Sequence, residues 1–303
     1  MLRFARYLSA LALLALAALI VLDDWVKHTE LPNLELESAV TVLDRNGDLL
    51  RAYTVESGRW RLPVSLEQVD PRYVEMLIAF EDKRFYSHVG VDPRALLRGF
   101  GQFVANGRII SGGSTLTMQV ARLLERGDTG RLSAKIRQIR VALALERQLS
   151  KAEILTLYLQ LAPMGGNIEG VRAATLTYFG KEPRRLTPAE AALLIALPQA
   201  PTSRRPDRFA HAAQIARDRV LERAASASIL PLDEAETGRL SLVPNARIPF
   251  PLFAPHFTDA LRREQPETQV FHTTIDRDIQ NALETLLRTS LAPRQNGLSA
   301  ALV

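Results

Sequence analysis

The chain has 303 residues, of which 47% are hydrophobic and 23% charged, so it is neither disordered nor wholly embedded in a membrane. Its length allows one large domain with accessories, and its formal net charge of +5 suits an anionic partner such as a phosphate-bearing substrate or a phospholipid surface. The chain contains no cysteine, which excludes disulfide bonds and thiolate metal sites.

The first predicted element is a membrane-spanning helix at the N-terminus. Residues 7–22 are uncharged and mostly apolar, two arginines precede them, and Asp23 and Asp24 follow directly. A spanning helix needs roughly 20 residues. We predict a single-pass signal anchor over residues 1–24, with a cleaved signal peptide as the alternative. Positive residues stay in the cytoplasm. The rest of the chain is therefore expected on the periplasmic or extracellular side of the inner (cytoplasmic) membrane.

Residues 25–59 are predicted to form a linker followed by a small β-hairpin. Two short runs of strand-forming residues, 39–43 and 49–53, flank the dipeptide Asn46-Gly47. Asn-Gly between two such runs is a strong signal for a hairpin turn.

The largest predicted unit is a mainly α-helical domain over residues 60–241. Asp70 and Asp92 each precede a proline, which places a capping side chain just before a first helical turn. Ser150 and Thr187 each precede a glutamate by three residues, which is the pattern of a capping box. Apolar residues recur at helical spacing between these points.

The C-terminal part is predicted to be a second unit that has only begun. Prolines are frequent after residue 242, so residues 242–268 are interpreted as a linker. A strand is predicted over 269–275, a helix over 277–290 and a further strand over 298–303. Residues 269–303 would then be the truncated start of another domain.

Three groups of residues suggest chemistry, and each also has a plain structural explanation. The acidic pair Glu81 and Asp82 ends a predicted helix, where the dipole disfavours negative charge, although a solvated helix end would look the same. Residues 111–119 combine glycines with hydroxyls, which suits a phosphate, although a capped helix start explains them equally well. Lys135 and Gln138 are neighbours on a basic helical face, which on its own indicates only a solvated surface.

Taken together, these groups resemble the family 51 glycosyltransferases, which are the transglycosylase domains of class A penicillin-binding proteins and their monofunctional relatives. Five blocks similar to the family's conserved ones occur in the family's order, at residues 81–92, 112–119, 135–158, 166–181 and 189–201. Gln138 and the Pro163-Met-Gly-Gly stretch look most like the 1C type of the family.

The resemblance implies a lysozyme-like helical domain that polymerises lipid II with inversion and releases undecaprenyl pyrophosphate. Glu81 matches the family's general base, and a well-placed base contributes about 10²–10⁴-fold to a rate. The residues that match the substrate-binding positions are Asp82, Phe85, His88, Gly113, Ser114, Thr115, Gln119, Arg122 and Lys135. Residues 95–110 match the apolar surface that dips into the membrane, although a buried core helix is the plain alternative.

The implied partners are lipid II, the lipid-linked glycan chain and the membrane, with other cell-wall synthesis proteins as further candidates. The resemblance leaves open a divalent cation, Mg²⁺ or Mn²⁺, as a cofactor, and it identifies no metal ligands. Nucleic acid is not an expected partner, because the predicted anchor places the basic surface outside the cytoplasm.

Two departures from the family pattern matter. Gln138 stands where most of the family has a second catalytic glutamate, and glutamine cannot exchange a proton. Either Lys135, Arg137 and a neutral hydrogen bond suffice, or Glu146 substitutes, or turnover is low. Residues 271–303 resemble the entry to a transpeptidase domain, but the chain has no Ser-x-x-Lys and no Lys-Thr-Gly, so no transpeptidase activity and no covalent reaction with β-lactams are expected.

Two other functions compete with the glycosyltransferase. A lysozyme-like hydrolase would share the fold and a lone acid, but it would not need the cationic group or the apolar membrane surface. The second competing function is a weakly active or inactive scaffold that recruits other cell-wall synthesis proteins. It stays open because Gln138 replaces the expected carboxylate.

Overall fold

The computed structural model describes residues 2–106, 113–125 and 132–291. The helices in these ranges are α1 Leu2–Lys27, α2 Pro71–Glu81, α3 Pro93–Asn106, α4 Leu116–Glu125, α5 Leu132–Gln148, α6 Lys151–Leu161, α7 Val171–Phe179, α8 Pro188–Ala196, α9 Ala210–Ser226, α10 Leu232–Leu240, α11 Pro255–Glu264 and α12 Arg277–Leu291. The strands are β1 Thr41–Leu43, β2 Leu49–Ala52, β3 Trp60–Arg61, β4 Pro163–Gly165, β5 Ile168–Glu169 and β6 Val270–His272. The prediction of a mainly α-helical fold with a small hairpin is confirmed.

The helices begin where their capping side chains were predicted. Asp70 accepts a hydrogen bond of 2.9 Å from the Arg72 backbone N–H at the start of α2. Ser150 and Thr187 form complete capping boxes at the starts of α6 and α8. Gly180 ends α7 in the left-handed conformation, with a φ of 69°. These local signals therefore set the helix boundaries of the domain.

Helix α8 lies at the centre of the helical domain. Seven of its nine residues are buried, and it packs against α2, α9 and α10. Its alanines let these neighbours approach closely, while Leu193, Leu194 and Ile195 fill the space between them. Burying one such aliphatic side chain stabilises the fold by roughly 1.5–3 kcal/mol. The rigid centre supports α2, and α2 carries the first candidate site residue.

Two small sheets flank the helices. β1 pairs antiparallel with β2, and β6 pairs in parallel with the other edge of β1. The connection between β1 and β2 runs over residues 44–48, with Gly47 at a φ of 86°. It is longer than the two residues Asn46-Gly47 because Asp44 closes it, accepting hydrogen bonds from the Asn46 and Asp48 N–H groups. β3, β5 and β4 form the second sheet.

The proline-rich segment after α10 is packed against the domain. Phe250 stacks on Trp60 with ring centroids 4.2 Å apart, and the Ile248 N–H donates to the Thr177 carbonyl at 2.7 Å. The composition did not predict α11, which starts at Pro255. A proline suits the first helical turn because its missing N–H would have no partner there.

Helix α1 is long and apolar enough over Ser9–Lys27 to cross a membrane, and almost all of that stretch is exposed. Signal sequences share its length, composition and N-terminal position. In α3, Leu97 is 72% exposed, which argues against the alternative of a buried core helix. The rest of that predicted surface from residue 107 onward, and the predicted strand over 298–303, lie outside the described residues.

Candidate active site

Glu81 is the last residue of α2, and the preceding residues on the same face of this helix, Tyr73 and Leu77, are buried in the core. Its side chain is half-buried and both carboxylate oxygens accept hydrogen bonds. Gln119 Nε2 donates to Oε2 at 2.8 Å, and Gln199 Nε2 donates to Oε1 at 2.9 Å. The donors are neutral amides, and each oxygen keeps a second lone pair. The carboxylate is therefore fixed in direction and can still accept a proton.

Gln199 is a site residue that the sequence analysis missed. It lies in the short 3₁₀ turn Leu197–Gln199 that follows α8. Arg204 Nη1 donates to Gln199 Oε1 at 3.1 Å and to the Ala196 carbonyl at 2.7 Å, which fixes the direction of the amide. Gln199 falls within the segment 189–201 that resembles a conserved block of the family, but nothing in that segment distinguishes this glutamine as a site residue.

Asp82 and His88 form a buried pair beneath the loop that follows α2. His88 Nε2 lies 2.9 Å from Asp82 Oδ2, and the Leu116 N–H donates to the same oxygen at 3.0 Å. The negative charge of Asp82 at the end of α2 is therefore balanced by His88 and by the positive end of α4. Both side chains are less than 10% exposed, so they hold the loop against α4 rather than lining its surface.

Phe85 is fully buried in the same loop, and Lys151 Nζ lies 4.4 Å from its ring centroid. Lys151 also donates to the His88 carbonyl at 2.8 Å and to Glu146 Oε1 at 2.6 Å. Thr117 donates to the same Glu146 oxygen at 2.6 Å. Glu146 is thus enclosed and paired, which argues against its replacing the missing second glutamate.

The residues just before α4 bring hydroxyls next to a cation. Thr115 caps α4, accepting from the Met118 N–H at 3.1 Å and donating to the Gly90 carbonyl at 2.6 Å. Ser114 accepts a hydrogen bond from Lys135 Nζ, and Gly113 lies half-buried beside it. Because Asp82 and Thr115 already bond to the first N–H groups of α4, an anion here would be bound mainly by side chains.

Lys135 and Arg122 form a cationic pair at this end of the site. Burial, and beyond it the positive charge of Arg122, lowers the pKa of Lys135 below its ordinary value. Among the described carboxylates, none forms an ion pair with Lys135 or Arg122. Two neighbouring cations are suited to binding a phosphate group.

Gln138 lies one turn after Lys135 on α5, and it is only 9% exposed. Its side chain makes no hydrogen bond to any described residue. Arg137, its neighbour, forms an ion pair with Glu125 at 2.6 Å and points toward solvent. Arg137 is therefore already paired, while Gln138 is placed beside the cationic pair.

Two buried tyrosines, Tyr73 and Tyr158, lie close to Glu81. Burial raises the pKa of both hydroxyls, and the negative charge of Glu81 raises it further. Both tyrosines therefore stay neutral, and they give the Glu81 carboxylate a floor of low polarity.

The chain is similar in sequence to known proteins. The chain is 42% identical over 269 residues to penicillin-binding protein 1C of Escherichia coli (strain K12), a match that covers 88% of this chain and 35% of that protein. It is 31% identical to penicillin-binding protein 1A of the same organism, covering 86% of this chain and 32% of that protein. This chain thus spans about a third of the length of these relatives.

A solved structure is also similar, namely the 2.6 Å crystal structure of penicillin-binding protein 1A from Haemophilus influenzae. The two share 19% identity with a TM-score of 0.39, over 88% of this chain and 33% of that one. A family model described as Transglycosylase matches residues 46–225, which is more than half of the chain and includes every candidate site residue named above. The chain belongs to the transglycosylase family.

Proposed function

We propose that this chain is a peptidoglycan glycosyltransferase that polymerises lipid II into glycan strands. The observation that carries the proposal is the placement of two functions on one face of α4. Gln119 bonds to the Glu81 carboxylate, and Arg122, one turn later on the same face, belongs to the cationic pair with Lys135. The α4 residue that contacts the base and the α4 residue of the cationic pair are thus one helical turn apart.

In the proposed reaction, Glu81 accepts the proton of the acceptor sugar's 4-hydroxyl as its oxygen attacks the anomeric carbon of the donor. The bond from that carbon to the pyrophosphate oxygen breaks, and undecaprenyl pyrophosphate leaves with inversion at the carbon. Lys135, Arg122 and Ser114 stabilise the charge that develops on the leaving group. The amides of Gln119 and Gln199 hold the base in direction throughout.

The described residues do not fit a divalent cation held by the protein. Within them, no group of three or more His, Asp or Glu side chains converges. Asp82, the carboxylate next to Glu81, is occupied by His88 and the α4 N-terminus. The use of Mg²⁺ or Mn²⁺ stays a prediction, and no step above depends on it.

The same proposal places α1 in the inner membrane as a single-pass anchor, with the helical domain on the periplasmic side. The exposed apolar surface of α1 supports the anchor, and the substrate's lipid tail supports the membrane as a partner. Other cell-wall synthesis proteins stay candidate partners.

The assay that tests the function uses the detergent-solubilised wild-type chain with lipid II. We expect glycan polymer, detected by gel electrophoresis. One undecaprenyl pyrophosphate should be released for each glycosidic bond formed, as measured by phosphate analysis. Cleavage of preformed glycan without polymer would instead indicate a hydrolase. If neither glycan polymer nor cleaved glycan is formed, the chain is a scaffold.

The cationic pair predicts an alkaline limit to activity. Lys135 is charged below its lowered pKa, and it loses its proton as the pH rises through that value, so kcat/KM for lipid II should fall at a pH below 10.5. A Lys135→Arg variant keeps its charge throughout, and its alkaline limit should move to higher pH. The measurement is the pH profile of kcat/KM.

Lys181→Arg is the matched control, because Lys181 forms an ion pair with Glu190 away from the site. Its profile should coincide with that of the wild type. If Lys135→Arg also keeps the wild-type limit, another group is responsible for the alkaline loss.

Restoring the carboxylate in a Gln138→Glu variant is expected to raise kcat, by up to about tenfold, because the new charge would lie beside the cationic pair and could exchange a proton. The measurement is the initial rate of polymer formation. Gln148→Glu, at the exposed end of the same helix, is the control and should leave the rate unchanged. A lower rate in Gln138→Glu would show that the site works best with a neutral amide.

A further inference from the structure

The end of α1 is fixed to α5, the helix that carries Lys135. Arg140, also on α5, donates Nε to the Trp25 carbonyl at 2.9 Å and Nη2 to the His28 carbonyl at 2.8 Å. Its Nε also lies 3.0 Å from Thr29 Oγ1, and its guanidinium carbon lies 5.0 Å from the centroid of the Trp25 ring. A single side chain thus binds the last turn of α1 and the two residues that follow it.

A guanidinium is well matched to this position. The last carbonyls of a helix have no partner within the helix, and the helix dipole makes that end negative. Arg140 supplies a permanent positive charge, several N–H donors in a plane and a face that stacks on an aromatic ring. A lysine at this position could supply the charge but not the fork or the stacking.

A second contact lies two turns further along α5. Arg147 Nη2 lies 2.7 Å from Asp23 Oδ1, and at a spacing of seven residues Arg147 and Arg140 share one face of α5. Val26, which lies between Asp23 and His28 in the sequence, is only 2% exposed. Two separated polar contacts with a buried residue between them fix the direction of α1 as well as its position.

We infer that the end of α1 and helix α5 move as one body, and that this contact sets the position of Lys135 relative to the membrane surface. The functional part of the inference rests on the proposed function, in which the donor's lipid tail lies in the bilayer while its pyrophosphate binds beside α5. A freely moving linker after residue 24 would leave that distance undefined. Arg140 is a positioning residue that acts through α5.

The docking itself is tested without any activity assay, because the chain has no native cysteine. The full chain with Asp23→Cys and Arg147→Cys is placed in phospholipid vesicles and treated with a short bismaleimide. The intact mass of the protein should show one bismaleimide per chain, linked to both cysteines, and no free thiol should remain. The control pair, Asp23→Cys with Arg239→Cys on α10, should bind two reagents separately. The same mass for both pairs would overturn the docking, whatever the chain's enzymatic function.

The positioning role is tested with Arg140→Met on lipid II in vesicles and in detergent micelles. In vesicles we expect KM to rise about tenfold with kcat nearly unchanged, whereas in micelles, where the lipid tail is not held in a plane, both constants should stay within about twofold of wild type. Arg140→Lys should recover part of the vesicle KM, and Arg239→Met should match the wild type in both media. Equal losses in both media, or no loss in vesicles, would overturn the inference.

Discussion

A Glu81→Gln variant is expected to fold like the wild type and to polymerise lipid II about 10²–10⁴-fold more slowly. Glutamine has the shape of glutamate but cannot take the proton of the acceptor hydroxyl. It also offers a single acceptor oxygen to the amides of Gln119 and Gln199, so one of these must turn to a new partner. The measurement is kcat in detergent with saturating lipid II.

Glu75→Gln is the matched control for this loss of charge. Glu75 lies on the same helix, α2, but is exposed to solvent, and its replacement should leave kcat within about twofold of wild type. Thermal unfolding of both variants separates a loss of chemistry from a loss of fold. If Glu81→Gln keeps a rate within about tenfold of wild type, the base must be sought elsewhere.

A Gly90→Ala substitution is expected to destabilise the protein by roughly 2–5 kcal/mol, as the sum of left-handed strain and overpacking. Gly90 has a φ of 79°, and a Cβ there would lie 2.5 Å from the Ala142 carbonyl oxygen of α5. The obstacle is helix backbone, which cannot rotate away as a side chain can. The loop that holds Asp82, Phe85 and His88 would therefore have to separate from α5.

Gly47→Ala distinguishes the two causes. Gly47 has a φ of 86°, but a Cβ there would meet nothing within 4 Å, so this variant reports the backbone strain alone. We expect it to cost about 1–2 kcal/mol and to leave polymerisation unchanged. Gly90→Ala should lower the midpoint of thermal unfolding further and lower the polymerisation rate as well. Equal shifts for both variants would show that the loop and α5 adapt without cost.

The helical boundaries could be predicted because their causes are local. A capping side chain such as Asp70 or Thr187 bonds to N–H groups two or three residues away, and Gly180 stops its helix through its own backbone conformation. Such signals need no knowledge of the tertiary fold. The proline-rich segment shows the limit of composition, because Pro255 starts α11 where a linker was expected.

The site could be predicted only in part, because some of its members meet through the tertiary fold alone. Gln199 reaches Glu81 across 118 residues of sequence, and no local pattern marks it. Nor could the sequence separate residues that offer polar groups to a ligand from those that support them. Asp82 and Phe85 stand next to Glu81 in a single motif, yet both are buried under the loop. Glu146 is similarly paired with Lys151, a contact that forms only in the folded protein.

The sheet that joins β1 to β6 has a consequence for the order in which the protein assembles. Arg45, just after β1, donates to the Thr274 carbonyl, 229 residues later in the chain. Closing so long a loop is entropically unfavourable until the intervening helices have folded and brought the two strands together. If the chain crosses the membrane from its N-terminus, the hairpin stays without its third strand until the whole helical domain has emerged. The sheet is then completed after the helical domain, and its completion marks a helical domain that has been exported whole.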